Sequence, residues 1–342
     1  MCTKLPAPRA TCVLEVNAIQ TIVCILTLHG ANASFSTPSG RRLKGEIVAE
    51  RNPRIQPDLI DTLFLRASFR VGRTSITQLS DGVVVAPRRN WFNSIEPSEW
   101  MPALGLSDPD TPFPVNFGGF LVQNGESTTL FDCGVGPQAE EFFPGIREGG
   151  HFLSRLDESG VEPGDIDRVV ISHLHIDHCG HLVARGGDLT FPRAEVWVHE
   201  REIAYWNSEA AASNIQPGEI RRYLDAVTAA GLLRPYRDEF ELTTGIRLVP
   251  ASGHTPGHTA MLVESEGECA LLLGDAVHHW LHFEHPTWLQ SYDVEPPVSV
   301  ATRTSLFDRA VASDAIVTAV HMPILTLGRL TSVADSFKYH AL

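Results

Sequence analysis

The chain has 342 residues, 43% of them hydrophobic, and a mean hydropathy of −0.04. That is ordinary globular composition, with enough chain to bury a large core. Lys and Arg number 27 against 41 Asp and Glu, for a net charge of −14, a field that repels phosphate backbones and argues against nucleic acid and anionic membrane as partners.

In chain order, Lys4 and Arg9 precede an apolar run from Ala18 to Leu28, and Ala31-Asn32-Ala33 then stands ahead of Ser34. This order resembles a secretory signal with a cleavage site, spanning residues 1–33. Glu15 before the run, with Gln20 and Thr21 inside it, fits an upstream start that is no signal equally well. The compartment is therefore cytoplasmic, or periplasmic or secreted if residues 1–33 are a signal peptide. No run approaches ~18 consecutive apolar residues, so a transmembrane helix is not expected. Residues 1–68 read as leader and linker, with a short helix around Pro57–Phe64, and the compact domain is expected over 69–342.

From there strand-like runs recur. Gly82–Ala86 is β-branched and bounded by Asp81-Gly82 and Pro87. Gly119–Gln123 and Thr128–Asp132 flank Asn124-Gly125, a hairpin signal. A helix is expected over Phe152–Ser159, then strands at Arg168–Ser172 and Glu195–His199 and a helix at Glu200–Trp206. Pro217–Ala230 carries apolar residues at Ile220, Tyr223, Leu224 and Val227, the spacing of an amphipathic helix. Ile246–Pro250, Ala260–Glu264, Ala270–Leu273 and Ala315–Val320 read as strands, with a helix at Val298–Ala312 before the last. Strands with interspersed helices and no repeat period predict a mixed α/β layered domain.

The chemistry concentrates in Val169–His181, VVISHLHIDHCGH. Residues two apart in an extended segment point the same way, so His173 and His175 can converge on one ion. Asp177 and His178 follow along the turn and can face a second ion. Imidazole and carboxylate suit zinc, and iron, manganese and cobalt accept them too. One loop does not complete a site. His254 in SGHTPGHT, Asp275 in LLLGDAVHH and His321 in IVTAVHMP each follow an apolar strand. The six cysteines, at 2, 12, 24, 133, 179 and 269, form no C-x-x-C pair, and Cys179 is assigned to packing.

H-x-H-x-D-H, then H-T-P-G-H, then G-D, then a late His resembles the metallo-β-lactamase superfamily over roughly residues 70–335. The resemblance implies a four-layer αββα sandwich of two mixed β-sheets, with the metals at one edge. It places one ion on His173, His175 and His254, and a second on Asp177, His178 and His321, with Asp275 bridging. Asp132, in TLFDCGVG, matches the family's early Asp, which supports the ligand loop from behind. Within the superfamily the sequence looks most like the branch of methyl parathion hydrolase and the acyl-homoserine lactonases. The lactonases usually carry Tyr three residues after the bridging Asp. Here that position is His278, as in the methyl parathion hydrolase type, which puts homoserine lactonase activity in doubt.

The expected activity is hydrolysis of an ester, lactone or organophosphate ester. Two divalent ions, zinc first, would lower the pKa of a bridging water to about 7 and stabilise developing charge. Asp177 or Asp275 would move the proton, and His278 would donate to the oxyanion or leaving group. His258 and His181 are expected to be structural. Trp280, Phe283 and Trp288 are candidates to wall a pocket, with Trp91, Phe92 and Trp100 opposing them, which would suit a neutral, partly apolar small molecule. A homodimer is left open. The alternatives on the same fold are an iron-dependent sulfur dioxygenase and a thiolester hydrolase of the glyoxalase II type.

Overall fold

The computed structural model describes residues 66–342 apart from Asn93 and Asp335. The leader, the signal-peptide reading of residues 1–33 and the helix expected around Pro57–Phe64 lie outside these residues. The first sheet takes seven strands in sequence order: β1 (Arg66–Val71), β2 (Thr74–Pro87), β3 (Pro112–Gln123), β4 (Thr128–Phe131), β5 (Arg168–Val170), β6 (Glu195–His199) and β7 (Leu233–Tyr236). The second takes β8 (Phe240–Thr243), β9 (Ile246–Pro250), β10 (Thr259–Ser265), β11 (Glu268–Leu272), β12 (Ile316–Thr318), β13 (Gly328–Val333) and β14 (Ser336–Ala341). Both sheets are mixed. Strands β4 to β7 pair in parallel after an antiparallel β1–β2–β3, and β11 and β12 form the parallel pair of the second sheet.

The helices are α1 (Pro97–Trp100), α2 (Ala139–Phe142), α3 (Phe152–Asp157), α4 (Ile176–Cys179), α5 (Glu200–Trp206), α6 (Pro217–Ala229), α7 (Leu281–Glu284) and α8 (Pro296–Ala312). The sheets face each other across an apolar layer: Phe69, Ile76, Phe120, Phe131 and Val170 from one meet Leu248, Met261, Ala270 and Leu272 from the other. Behind the first sheet lie Phe152 and Leu156 of α3 with Ile220, Tyr223, Leu224 and Val227 of α6. Leu306, Phe307 and Ala310 of α8 cover the second. The result is the expected αββα layering, because each sheet buries both faces.

The Asn124-Gly125 hairpin forms as read: Gln123 pairs with Thr128, and Asn124 Oδ1 accepts from the backbone N–H of Glu126 and Ser127 at 3.0 and 2.9 Å. Asp81-Gly82, expected to bound a strand, instead sits inside β2, where the register slips between Ser80 and Gly82. The Asp81 carboxylate turns inward and accepts from the N–H of Gly136 at 2.9 Å and of Phe152 at 2.7 Å. The turn-forming pair thus makes a bulge rather than an end. Among the described residues no helix is long and apolar enough to cross a membrane.

Strand direction positions the site. β9 and β11 are both antiparallel to β10 and so run the same way, and β12 is parallel to β11. Their C-terminal ends therefore share one sheet edge. The parallel pair β4 and β5 presents its C-terminal ends likewise. The segments carrying Asp132, His173, His254, Asp275 and His321 all start at these ends.

Candidate metal centre

β5 ends at Val170 and the chain turns through Ser172 into the short helix α4. His173 Nε2 lies 2.8 Å from His175 Nδ1, and His254 Nε2 lies 3.1 Å from the same nitrogen. Asp275 Oδ2 is 3.7 Å from His173 Nε2 and 3.3 Å from His254 Nε2. A tetrahedron of ~2 Å bonds has edges of ~3.3 Å, so this spacing fits one zinc-sized ion. Asp177, His178 and His321 form a second group. Asp177 Oδ2 is 3.6 Å from His178 Nε2 and 3.5 Å from His321 Nε2. Asp275 reaches this group too, with Oδ1 3.4 Å from His178 Nε2 and Oδ2 3.1 Å from His321 Nε2. His178 Nε2 and Asp275 Oδ1 are buried without a hydrogen-bond partner, an arrangement that costs stability unless something else satisfies them. A cation would satisfy both, so the donor set fits a metal.

The remaining ring nitrogens are fixed from behind. His178 Nδ1–H donates to Asp132 Oδ2 at 2.9 Å, and Ser172 donates to both Asp132 oxygens, from N at 2.7 Å and from Oγ at 2.8 Å. Asp132 reaches all three with its backbone in the left-handed region, at φ 64°, a conformation Asp tolerates better than most residues. His321 Nδ1–H donates to the Asn116 carbonyl at 2.9 Å, and His254 Nδ1–H to Asp293 Oδ1 at 3.1 Å. These bonds set the tautomers that turn Nε2 toward the cluster. His175 is the exception and presents Nδ1.

Electrostatics follow burial. Desolvation, helped by neighbouring imidazoles, holds His173 and His175 well below the usual histidine value, in the neutral form that ligates metals. Burial also opposes charge on His178 and His321, yet Asp275 and Asp177 raise both. Burial works against ionised Asp275, but His321, His178, His278 and His173 hold its carboxyl well below the usual range.

A family model described as Metallo-beta-lactamase superfamily matches residues 119–318. The chain belongs to the metallo-β-lactamase superfamily. An N-acyl homoserine lactonase of Bacillus sp is 27% identical over 200 residues, 54% of this chain and 73% of that protein. The N-acyl homoserine lactonase AttM of Azorhizobium caulinodans is 29% identical over 227 residues, 59% and 81%. Among solved structures, the hydrolase AbOPH superposes with a TM-score of 0.69 at 26% identity, covering 80% of this chain and 96% of its own. The dizinc quorum-quenching lactonase AidC superposes at 0.70 with the same coverage, and at 23% identity it speaks for the fold alone. As an enzyme the chain is a metal-dependent hydrolase of this superfamily.

The structure thus brings together all seven residues expected to bind metal and adds His278, whose Nε2 lies 3.1 Å from Asp275 Oδ2. Burial lowers His278 to about 4, against the pull of Asp275. His258 and His181 are structural, as expected. His258 Nδ1–H donates to the Ala251 carbonyl at 3.1 Å while its Nε2 accepts from Asp275 N–H at 2.9 Å. Gly274, at φ +53°, permits that approach, since a Cβ there would lie 2.7 Å from His258 Nε2. His181 pairs with Asp81 at 3.1 Å. Cys179 is buried in the first-sheet core.

The aromatic wall needs correcting. Phe283 and Trp280 pack with Tyr339 beside the second core, and Phe92, Trp100 and Trp288 form a small core of their own with Leu281. Of the six aromatics, only Trp91 stacks on a site residue, His278, with ring centroids 5.6 Å apart. Tyr292, 56% exposed, pairs with Trp91 at 6.4 Å.

Glu202 was missed. Its Oε1 accepts from Leu174 N–H and Trp206 Nε1–H, and its Oε2 from Thr255 Oγ1–H and Gly257 N–H, all at 2.7–3.0 Å. This buried carboxylate ties the His173 loop to the His254 loop. Its only sequence signal, a Glu beside Ile203 on an expected helix, reads as a solvated face.

Proposed function

We propose that this protein is a dinuclear metal hydrolase that cleaves a neutral, partly apolar small ester, with a lactone as the leading candidate. The observation that carries it is the position of Asp275, within 3.1–3.4 Å of imidazole nitrogens from both groups. His173, His175 and His254 would hold one ion, and Asp177, His178 and His321 the other, with Asp275 reaching both. Bound zinc would supply an activated water at neutral pH and polarise the scissile carbonyl or phosphoryl oxygen.

The chain's own residues do the rest. Asp275 is surrounded by imidazoles and stays ionised, so it serves charge balance. Asp177, whose side chain keeps 12% exposure against 4% for Asp275, is the better group to exchange a proton with solvent. His278 lies against Asp275 and His321 and, held neutral by burial, is placed to give a hydrogen bond to the oxyanion or leaving-group oxygen rather than to transfer a proton. Trp91 and Tyr292 supply apolar surface at the mouth, which favours an uncharged substrate. The lactonase relatives support a lactone; His278 in place of Tyr keeps aryl esters and phosphotriesters in view.

The test is a screen of zinc-loaded protein against N-acyl homoserine lactones, simple aliphatic lactones, aryl esters and phosphotriesters, with metal counted per chain. Two ions and turnover of one class are expected. One iron per chain with no hydrolysis would favour the dioxygenase reading. Hydrolysis surviving complete chelation would sink the mechanism.

A further inference from the structure

Arg303, on α8, is fully buried and far from the motif residues in sequence. Its guanidinium is spent on backbone around the site. Nε donates to the Ala276 carbonyl at 2.7 Å, and Nη1 donates to the carbonyls of Pro286 and Trp288, each at 2.7 Å. Ala276 ends the Gly274–Ala276 turn that carries Asp275, and Gln290 Nε2–H donates to the same carbonyl at 3.0 Å. Nη2 lies 3.4 Å from Ser299 Oγ and 3.6 Å from Asp293 Oδ2. The other oxygen of Asp293 accepts the Nδ1–H of His254.

The backbone repeats the connection. Val294 N–H donates to the His254 carbonyl at 3.0 Å, and Glu295 N–H to the Gly253 carbonyl at 2.9 Å. The segment between Trp288 and Glu295 is thus laid along the His254 loop and anchored at its start by Arg303. A buried guanidinium facing a buried carboxylate is costly to assemble and costlier to break singly. Packing alone gives no reason to place one here, since Leu306, Phe307 and Ala310 already seal this face of α8 with apolar side chains.

We infer that Arg303 and Asp293 form one positioning unit, which aims His254 Nε2 and fixes the Asp275 turn so that the His173–His175–His254 group holds its ion. The inference rests on the metal-centre reading above. Asp293 supplies the carboxylate partner of His254, and Arg303 supplies the positive charge that faces Asp293 Oδ2 at 3.6 Å while its fork holds the neighbouring carbonyls. Arg is required because its planar fork donates to three carbonyls while facing a carboxylate, which a lysine ammonium cannot do.

The test is zinc binding by the full chain, read by chelator competition, with cobalt absorption spectra and thermal unfolding alongside. Asp293→Asn, which keeps the shape but not the charge, should weaken one of the two ions about 10–100-fold, the usual cost of losing such a partner. The ion held by Asp177, His178 and His321 should keep its affinity. Arg303→Met should weaken the same ion at least as much and, through the loosened Asp275 turn, the second ion to a smaller degree; Arg303→Lys should fall between, and the double variant should be no worse than the poorer single one. Where Arg303→Met fails to fold, Asp293→Asn decides alone. A folded Asp293→Asn protein with wild-type affinity for both ions and an unchanged cobalt spectrum would overturn the inference while leaving the metal centre standing. Wild-type protein that takes up no zinc or cobalt would overturn both.

Discussion

The two sheets contribute to the candidate centre in different ways. The first delivers His173, His175, Asp177 and His178 from one loop and the short helix α4, braced within the same sheet by Asp132 and Ser172. The second delivers His254, Asp275 and His321 singly, from the ends of three strands that run the same way. Each of these has its own brace: Asp293 for His254, His258 for the Asp275 N–H, and the Asn116 carbonyl for His321. A compact motif needs one correct loop. A dispersed set needs correct strand order, and its errors are independent.

Asp275 is where the two halves meet, so its removal should have the largest effect. Asp275→Ala should lower hydrolysis at least ~10³-fold, several kcal/mol of metal-derived stabilisation, and should reduce metal content at both groups. His321→Ala, which touches one group, should leave the other ion bound. Equal metal loss in both variants would mean that the halves do not load separately, and the comparison would break.

Glu202 is the next most sensitive point, because it ties the compact half to the dispersed one. Burial pushes its carboxyl up, and its hydrogen bonds to Leu174, Thr255, Trp206 and Gly257 only partly offset this. Glu202→Ala would leave the Leu174 and Gly257 N–H groups buried without acceptors, at roughly 1–3 kcal/mol each. The metal-free protein should lose about 3 kcal/mol in urea unfolding. A loss below about 1 kcal/mol would show that the two loops are held by packing instead. His278→Ala, by contrast, should leave stability and metal content near wild type and lower kcat about 10²-fold, the usual worth of one hydrogen-bond donor to a developing oxyanion. Unchanged kcat would return His278 to a stacking role against Trp91 and His321.

The same contrast explains what could be read in advance. The compact half is a string of chemically costly residues, and its meaning survives without coordinates. His254, Asp275 and His321 were legible because each ends an apolar run, and the αββα layering followed from the resemblance rather than from periodicity. The braces were not legible. Asp293 lies in a loop without periodicity, Arg303 on a helix whose other residues read as ordinary, and Asp81 beside a glycine that reads as a turn. Each takes its role from a partner far away in sequence, such as Leu174 for Glu202 or His254 for Asp293. The edge strands β7, β8 and β14, with β13 beside β14, were missed for a related reason: they are short or carry polar residues on an exposed face, so neither alternation nor an apolar run marks them.

The smallest expected effect concerns acid. His258 is buried and lowered to about 3 by desolvation and the nearby His254. It must stay neutral to accept the Asp275 N–H while donating to the Ala251 carbonyl. An unfolded histidine titrates near 6.5, so between about 6.5 and 3 the unfolded chain binds a proton that the folded chain does not. A depressed folded-state pKa contributes stability that is fully present above 6.5 and is lost as pH falls toward 3. The slope is about 1.4 kcal/mol per pH unit for one such group. His278, lowered to about 4, adds to it over the upper part of that window. Denaturant unfolding of metal-free protein at pH 7, 6, 5 and 4.5 should show the fall. His258→Gln keeps an acceptor and a donor without titrating, and should flatten the curve by one proton while lowering stability at pH 7. If the slope is unchanged in that variant, His258 is not held neutral by the fold, and the brace assigned to Asp275 must be sought elsewhere on the second sheet.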